Sequence, residues 1–370
     1  LPSMSGGENA TNANDLFVFT GCYTTNKNEG INVYCMDPAN GGLTFVSKAA
    51  GAANPSYLAI DPQKRFLFAV NEMSRFEGKP QGALSSFAID PSTMKLTFLN
   101  QQPSGGSAPC YITVDKTGKW VLIANYGGGS VAVFPIQDDG KLGPASDFVQ
   151  HRGSSVNRQR QKEPHAHSIV LDPANRFAFA ADLGMDKIMI YQFDGIDGKL
   201  KPNDPPYAEA NPGSGPRHFT FHPNGEFAFL IQELQSTITS FAYDGDMGAL
   251  ETIQTVSALP KDFTGTSYSA DIHVSPSGKF IYGSNRGHDS IVIYAIGEKT
   301  GKLEYIGHES TQGKTPRNFA IDPSGAFLLA ANQDSDSIVT FRIDEETGKL
   351  HSTGAFAKTV KPVCLQFFRC

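Results

Sequence analysis

Several features common in chains of this length are missing here. Cysteine is scarce: Cys22, Cys35, Cys110, Cys364 and Cys370 are odd in number and form no Cys-x-x-Cys pair, which argues against a disulfide framework and against a zinc site. No run approaches the ~18 apolar residues of a membrane span, so none is expected. Positive charge is not in excess: 31 Lys and Arg stand against 37 Asp and Glu, a net charge of −6. Nucleic acid is therefore not an expected partner, and any anion site must be a local gathering of cations. Gly-x-Ser-x-Gly, His-Glu-x-x-His, Walker-type glycine loops and a spaced Asp and His cluster are all absent. The expectation is a site with no metal and no cofactor.

What is present is repetition. The unit is clearest from Pro216, where Pro-Arg-His-Phe-Thr-Phe-His-Pro-Asn-Gly-Glu-Phe-Ala-Phe-Leu-Ile-Gln reads as a strand, a Pro-Asn-Gly turn and a second apolar strand. The same template lies at Pro55 to Asn71, Pro109 to Asn125, Ala166 to Asp182, Ser269 to Asn285 and Pro316 to Asn332. A seventh copy is split: Pro362-Val-Cys-Leu-Gln-Phe-Phe supplies a first strand, and Leu16-Phe-Val-Phe-Thr-Gly a second.

A further hairpin pattern, apolar-x-x-aromatic followed by an Asp and Gly turn and then Leu, runs in step, as in Ile31 to Leu43, Val131 to Leu142 and Ile188 to Leu200. Four strands in each of seven repeats of about 50 residues predict an all-β, seven-bladed β-propeller with four antiparallel strands per blade. The C-terminal strand would close the ring by joining three N-terminal strands. A ring of blades also explains how one domain can exceed the usual core limit of about 250 to 300 residues. Residues 15–370 are therefore expected to form a single domain. Residues 1–14, small and polar, are expected to be a flexible leader.

In such a blade the start of the first strand and the end of the second lie at one end, beside the central channel. Two rings of residues should therefore face one mouth. The first holds Ser56, Cys110, His167, Arg217, Ala270, Arg317 and Val363; the second holds Glu72, Tyr126, Leu183, Glu233, Arg286, Gln333 and Cys22. Turns on the other face, such as Asp-Pro-Ser-Gly, are nearly interchangeable and read as turn chemistry alone. The mouth positions instead differ from blade to blade. His165, His167, Arg217, His218, Glu233, Asp271, Arg286 and Arg317 should converge on one arc, with Asn125 and Tyr126 beside them.

That set suits an anionic substrate attacked by water. Guanidinium groups bind carboxylate or phosphate in pairs of charge-assisted hydrogen bonds, an imidazole or carboxylate can take a proton from water, and an arginine can stabilise an oxyanion. Each residue also has a plain structural alternative: Glu233 as an ion-pair partner of Arg217 or Arg286, His165 as a loop anchor, His218 and His273 as packed strand histidines, and Arg317 on the rim. Cys110 beside His167 fits a small lining residue better than a nucleophile pair. A long basic loop from Gln150 to Pro164 passes over the same mouth, and its Arg152, Arg158, Arg160 and Lys162 could collect a phosphate or simply be solvated.

Gly153-Ser-Ser-Val-Asn-Arg-Gln-Arg-Gln-Lys-Glu-Pro-His-Ala-His-Ser, Gly215-Pro-Arg-His-Phe-Thr-Phe-His-Pro, Gln232-Glu-Leu, Asp271-Ile-His-Val-Ser-Pro-Ser-Gly and Tyr282-Gly-Ser-Asn-Arg-Gly-His-Asp-Ser-Ile together resemble the seven-bladed lactonase family. It includes a bacterial type of 6-phosphogluconolactonase and the fungal 3-carboxy-cis,cis-muconate lactonizing enzyme. The likeness runs from about Leu16 to Phe368. It implies a catalytic set of His167, Arg217, Glu233 and Arg286; His165, His218, Asp271, Arg317, Asn125, Tyr126 and Arg160 are expected, from their places at the mouth, to bind substrate. The implied activity is opening of a sugar lactone, 6-phospho-D-glucono-1,5-lactone before others. Closure of a muconate is the alternative, and a non-catalytic binding propeller is disfavoured by the charged mouth. The expected partner is a small anionic substrate and the expected assembly a monomer or weak dimer. The resemblance implies a cytoplasmic location; the polar leader and the missing initiator Met leave export open.

Overall fold

The computed structural model describes Thr11 and residues 14–370. Most of the expected leader therefore lies outside the described residues. Seven four-stranded antiparallel sheets follow one another around a ring. Six are continuous in sequence: blade one spans 58–103, blade two 109–150, blade three 166–209, blade four 216–257, blade five 268–310 and blade six 316–358. Blade seven pairs Pro362–Arg369 with Leu16–Cys22, followed by Gly30–Met36 and Leu43–Ala50, so the ring closes as expected. No described helix is long and apolar enough to cross a membrane.

The second strand of each blade is covered on both faces by neighbouring blades and is largely apolar up to its mouth end. Phe66–Asn71, Phe177–Asp182, Phe227–Gln232 and Phe327–Asn332 are buried at every position. Outermost strands are half exposed, and there the chain tolerates proline: Pro202, Pro205 and Pro206 lie in Lys199–Glu209, whose outer edge needs no donor. Blade two departs from the expected hairpin. Its fourth strand begins at Asp147, and Leu142 makes only an isolated bridge to Ile136. Pro144, with no N–H to give, delays the ladder.

The turn residues also act between blades. The Asp61 carboxylate accepts the N–H groups of Arg65 and Phe66 at 2.6 and 2.7 Å, and Asp172 does the same for Arg176 and Phe177. The aromatic that follows each such turn packs on a glycine of the next blade's outer turn. Gly198 has φ +61°, and a Cβ there would meet the Trp120 ring at 2.2 Å; Gly140 stands likewise against Phe66 and Gly248 against Phe177. Turn chemistry alone was expected on this face; the glycines also join the blades.

Candidate active site

Six of the seven innermost strands are bulged at the mouth, that of blade one being the exception. In blade four Pro216 pairs with Gln232 and His218 with Ile231, leaving Arg217 as the extra residue; His167 and Arg317 are extra in the same way in blades three and six, and Cys110 in blade two. A bulge turns an unpaired side chain away from the sheet alternation. Here it lets two successive residues of one strand serve the channel, one at the mouth and one below it.

At the mouth lies a cavity of about 210 Å³. Its lining brings Arg160, His167, Glu233, Arg286 and Arg317 together with Tyr23, Glu72, Cys110 and Tyr126. Among these, Tyr23 was not read from the sequence, where Cys22 was placed one position early. Cys22 is buried and its thiol donates to the Gly30 carbonyl oxygen. Glu72 was in the mouth ring but was not expected to act.

Glu233 is the hub. It follows the strand Phe227–Gln232, is 5% exposed, and accepts from Arg160 Nη2 at 2.8 Å on Oε1 and from Arg217 Nε and Arg286 Nη2, both at 3.0 Å, on Oε2. Burial alone would raise its pKa, but Arg286, Arg217 and Arg160 together hold the carboxyl well below the usual carboxylate range. Arg160 also donates to the Tyr126 hydroxyl at 3.0 Å. Of the basic loop, only Arg160 lines the cavity; Arg152, Arg158 and Lys162 are exposed. The Arg317 guanidinium lies over the Tyr23 ring at 5.5 Å and has no hydrogen-bonded or ion-pair partner among the described residues. Four guanidinium groups against the carboxylates of Glu72 and Glu233 leave the site with an excess of positive charge.

His167 is buried and neutral. Desolvation, then Arg217, His218 and Arg317, push its pKa well below the ordinary 6.5. Its Nδ1 lies 3.6 Å from Cys110 Sγ, and its Nε2 has no partner among the described residues. Burial, with Glu72 adding to it, raises the Cys110 thiol pKa, and the thiol reaches the His167 carbonyl oxygen at 3.4 Å. That is the geometry of a lining residue.

Five expected site residues stand behind the lining. Arg217, 1% exposed, donates to Glu233 and to the Ala270 carbonyl oxygen. His218 accepts on Nε2 from Arg217 Nη1 at 3.3 Å and donates from Nδ1 to Asp271 at 2.7 Å; burial and Arg217 lower its pKa to about 4. Asp271 also accepts from His273 Nε2 and Asn318 Nδ2. His165 stacks on Tyr126 at 4.6 Å and donates to its carbonyl oxygen, so it anchors the loop. Asn125, expected to meet substrate, is fully buried: its Nδ2 donates to the Ser104 carbonyl oxygen and to Ser130 Oγ. The floor is completed by Tyr57 and Tyr111, stacked at 4.3 Å and edge-on to His218. Sequence reading missed both tyrosines. The signal was the position directly after the mouth residues Ser56 and Cys110, and at Cys110 a bulge separates the two.

Among the described residues no three His, Cys, Asp or Glu side chains converge as metal ligands. A larger groove of about 650 Å³ lies on the opposite face, at the turns around Arg176 and Asp244 to Asp246, and gathers no comparable set of groups.

Residues 17–367 match the family described as lactonase, 7-bladed beta-propeller. The chain belongs to this family. The lactonase is 36% identical over 301 residues to 6-phosphogluconolactonase of Bacillus subtilis, covering 81% of this chain and 83% of that one. A Bacteroides fragilis structure, solved as a candidate 6-phosphogluconolactonase, superposes on it with TM-score 0.89 and 37% identity over the whole of both chains. The periplasmic gluconolactonase of Pseudomonas aeruginosa, 35% identical, superposes with TM-score 0.89 over 95% of this lactonase and 99% of that chain.

Proposed function

We propose that this lactonase hydrolyses 6-phospho-D-glucono-1,5-lactone, with His167 as the base that activates water. The observation that carries this reading is the pairing, in one small cavity, of a neutral imidazole with a free Nε2 and an excess of guanidinium charge. Water attacks the lactone carbonyl carbon while His167 Nε2 takes its proton. The tetrahedral oxyanion forms beside Arg286, which Glu233 and the Ser269 carbonyl oxygen already orient. The ring C–O bond then breaks, and the imidazolium returns the proton to the departing alkoxide. Arg317, uncommitted within the protein, holds the phosphate, and Arg160 adds charge from the loop.

Glu233 is a poor base here, because three guanidinium groups occupy its lone pairs; it supports the reading as their organiser. Arg217 acts from behind, completing that cluster. The likeness to a gluconolactonase favours one second reading, in which the unphosphorylated lactone is the natural substrate and Arg317 meets a hydroxyl.

Proton release in a pH-stat from each of the two lactones tests this. Turnover of the phosphorylated one is expected to be preferred. His167→Asn should lower kcat by about 10²- to 10⁴-fold. Failure of the protein to open either lactone refutes the proposal, and unchanged turnover in His167→Asn removes the imidazole from it.

A further inference from the structure

The cavity holds two carboxylates used in opposite ways. Both oxygens of Glu233 are occupied by arginines, so a substrate cannot reach them as acceptors. Glu72 follows the strand Phe66–Asn71 in blade one, three blades from Glu233, the greatest separation a ring of seven allows. Its Oε2 accepts from Tyr23 Oη at 2.9 Å and from Ser56 Oγ at 2.5 Å. Its backbone is held too: the Glu72 N–H donates to the Asn54 carbonyl oxygen, and Asn54 Nδ2 donates to the Glu72 carbonyl oxygen. The side chain is therefore fixed, yet Oε1 has no partner among the described residues, and no described cation lies within 4 Å of the carboxylate. An ionised carboxylate only accepts hydrogen bonds. What it can take from a ligand in this cavity is a hydroxyl hydrogen.

We propose that Glu72 is a specificity residue: its open oxygen accepts hydroxyl groups of a polyhydroxylated lactone and repels any ligand that would place a second carboxylate there. This rests on the lactonase reading above and deepens it. The arginine arc takes the anionic end of the substrate and Glu72 the hydroxylated middle. An unsaturated dicarboxylate, with no hydroxyl to donate and a charge of the wrong sign, is selected against at the same atom.

Calorimetric titration of the wild type and of Glu72→Gln with 6-phosphogluconate, inorganic phosphate and fumarate tests the assignment without depending on turnover. In Glu72→Gln, 6-phosphogluconate should bind about 10- to 100-fold more weakly, as for one lost charge-assisted hydrogen bond, while phosphate loses no affinity. Fumarate should bind more tightly than to the wild type. An equal loss for 6-phosphogluconate and phosphate, or no change in either, overturns the proposal. Wild-type protein that binds neither of them overturns instead the reading of the site on which it rests. If Glu72→Gln does not fold, Tyr23→Phe, which removes one of the two hydroxyls fixing the carboxylate, should weaken 6-phosphogluconate alone.

Discussion

Glu233 gathers three guanidinium groups that arrive from three parts of the chain: Arg160 from the loop before blade three, Arg217 from its own blade and Arg286 from the next. Its value to the site is the fixed direction it gives them, since a carboxylate so held has little affinity for a proton. The proton acceptor is then His167, and its environment sets the pH response. Only the neutral imidazole can accept a proton, and burial with Arg217, His218 and Arg317 holds its pKa below 6.5. Activity is therefore retained as pH falls through the ordinary imidazole range and lost only at lower pH. A kcat/KM profile of the free enzyme should place its acid limb below pH 6.5; a limb above that value would contradict the assignment.

At the scale of the strand, the Asn or Asp at or next to the end of the second strand has a structural task in five blades. Asn71 Nδ2 donates to the Ala53 carbonyl oxygen at 2.8 Å, and its Oδ1 accepts from Ser85 Oγ and Gln101 Nε2. Asn125, Asn285 and Asn332 tie the connectors entering their own blades through Ser104, Ala258 and Thr311. In blade three the residue is Asp182, which accepts from His151 Nδ1 and from the His165 N–H and so clasps both ends of the long loop. Asn71→Ala should lower stability by about 1 to 3 kcal/mol, read from urea unfolding, with kcat unaffected. This explains why Asn125 looked functional from sequence: it recurs at the mouth end of the strand, but its side chain turns into the connector. The bulges were not legible either, because Arg217 and His218 are simply consecutive residues until the ladder skips one of them.

For the whole molecule, closure is carried by one strand. Pro362–Arg369 is the innermost strand of blade seven and pairs along the whole of Leu16–Cys22, every residue of which is buried. Ending the chain after Lys361 would expose that strand's edge and remove the wall between blades six and one. The truncated protein should lose cooperative thermal unfolding and associate, as seen by size-exclusion chromatography. A monomer with an unchanged melting curve would show that the ring does not need this clasp. The position of Glu72 opposite the Glu233 cluster depends on the same closure, because the two face each other only across the channel.

The amino-acid order by itself determined the blade count, the split seventh blade and the strand ends from which His167, Glu233, Arg286 and Arg317 project, because a repeated hairpin is a local pattern and repeats expose its period. Only the tertiary structure decided which of these side chains reach the cavity and which stand behind it. Arg217, His218 and Asp271 went to the supporting layer, while Tyr23 and Glu72 came to the surface of the pocket. That division depends on bulges and on contacts across the ring, and neither is encoded in the spacing of residues along one strand.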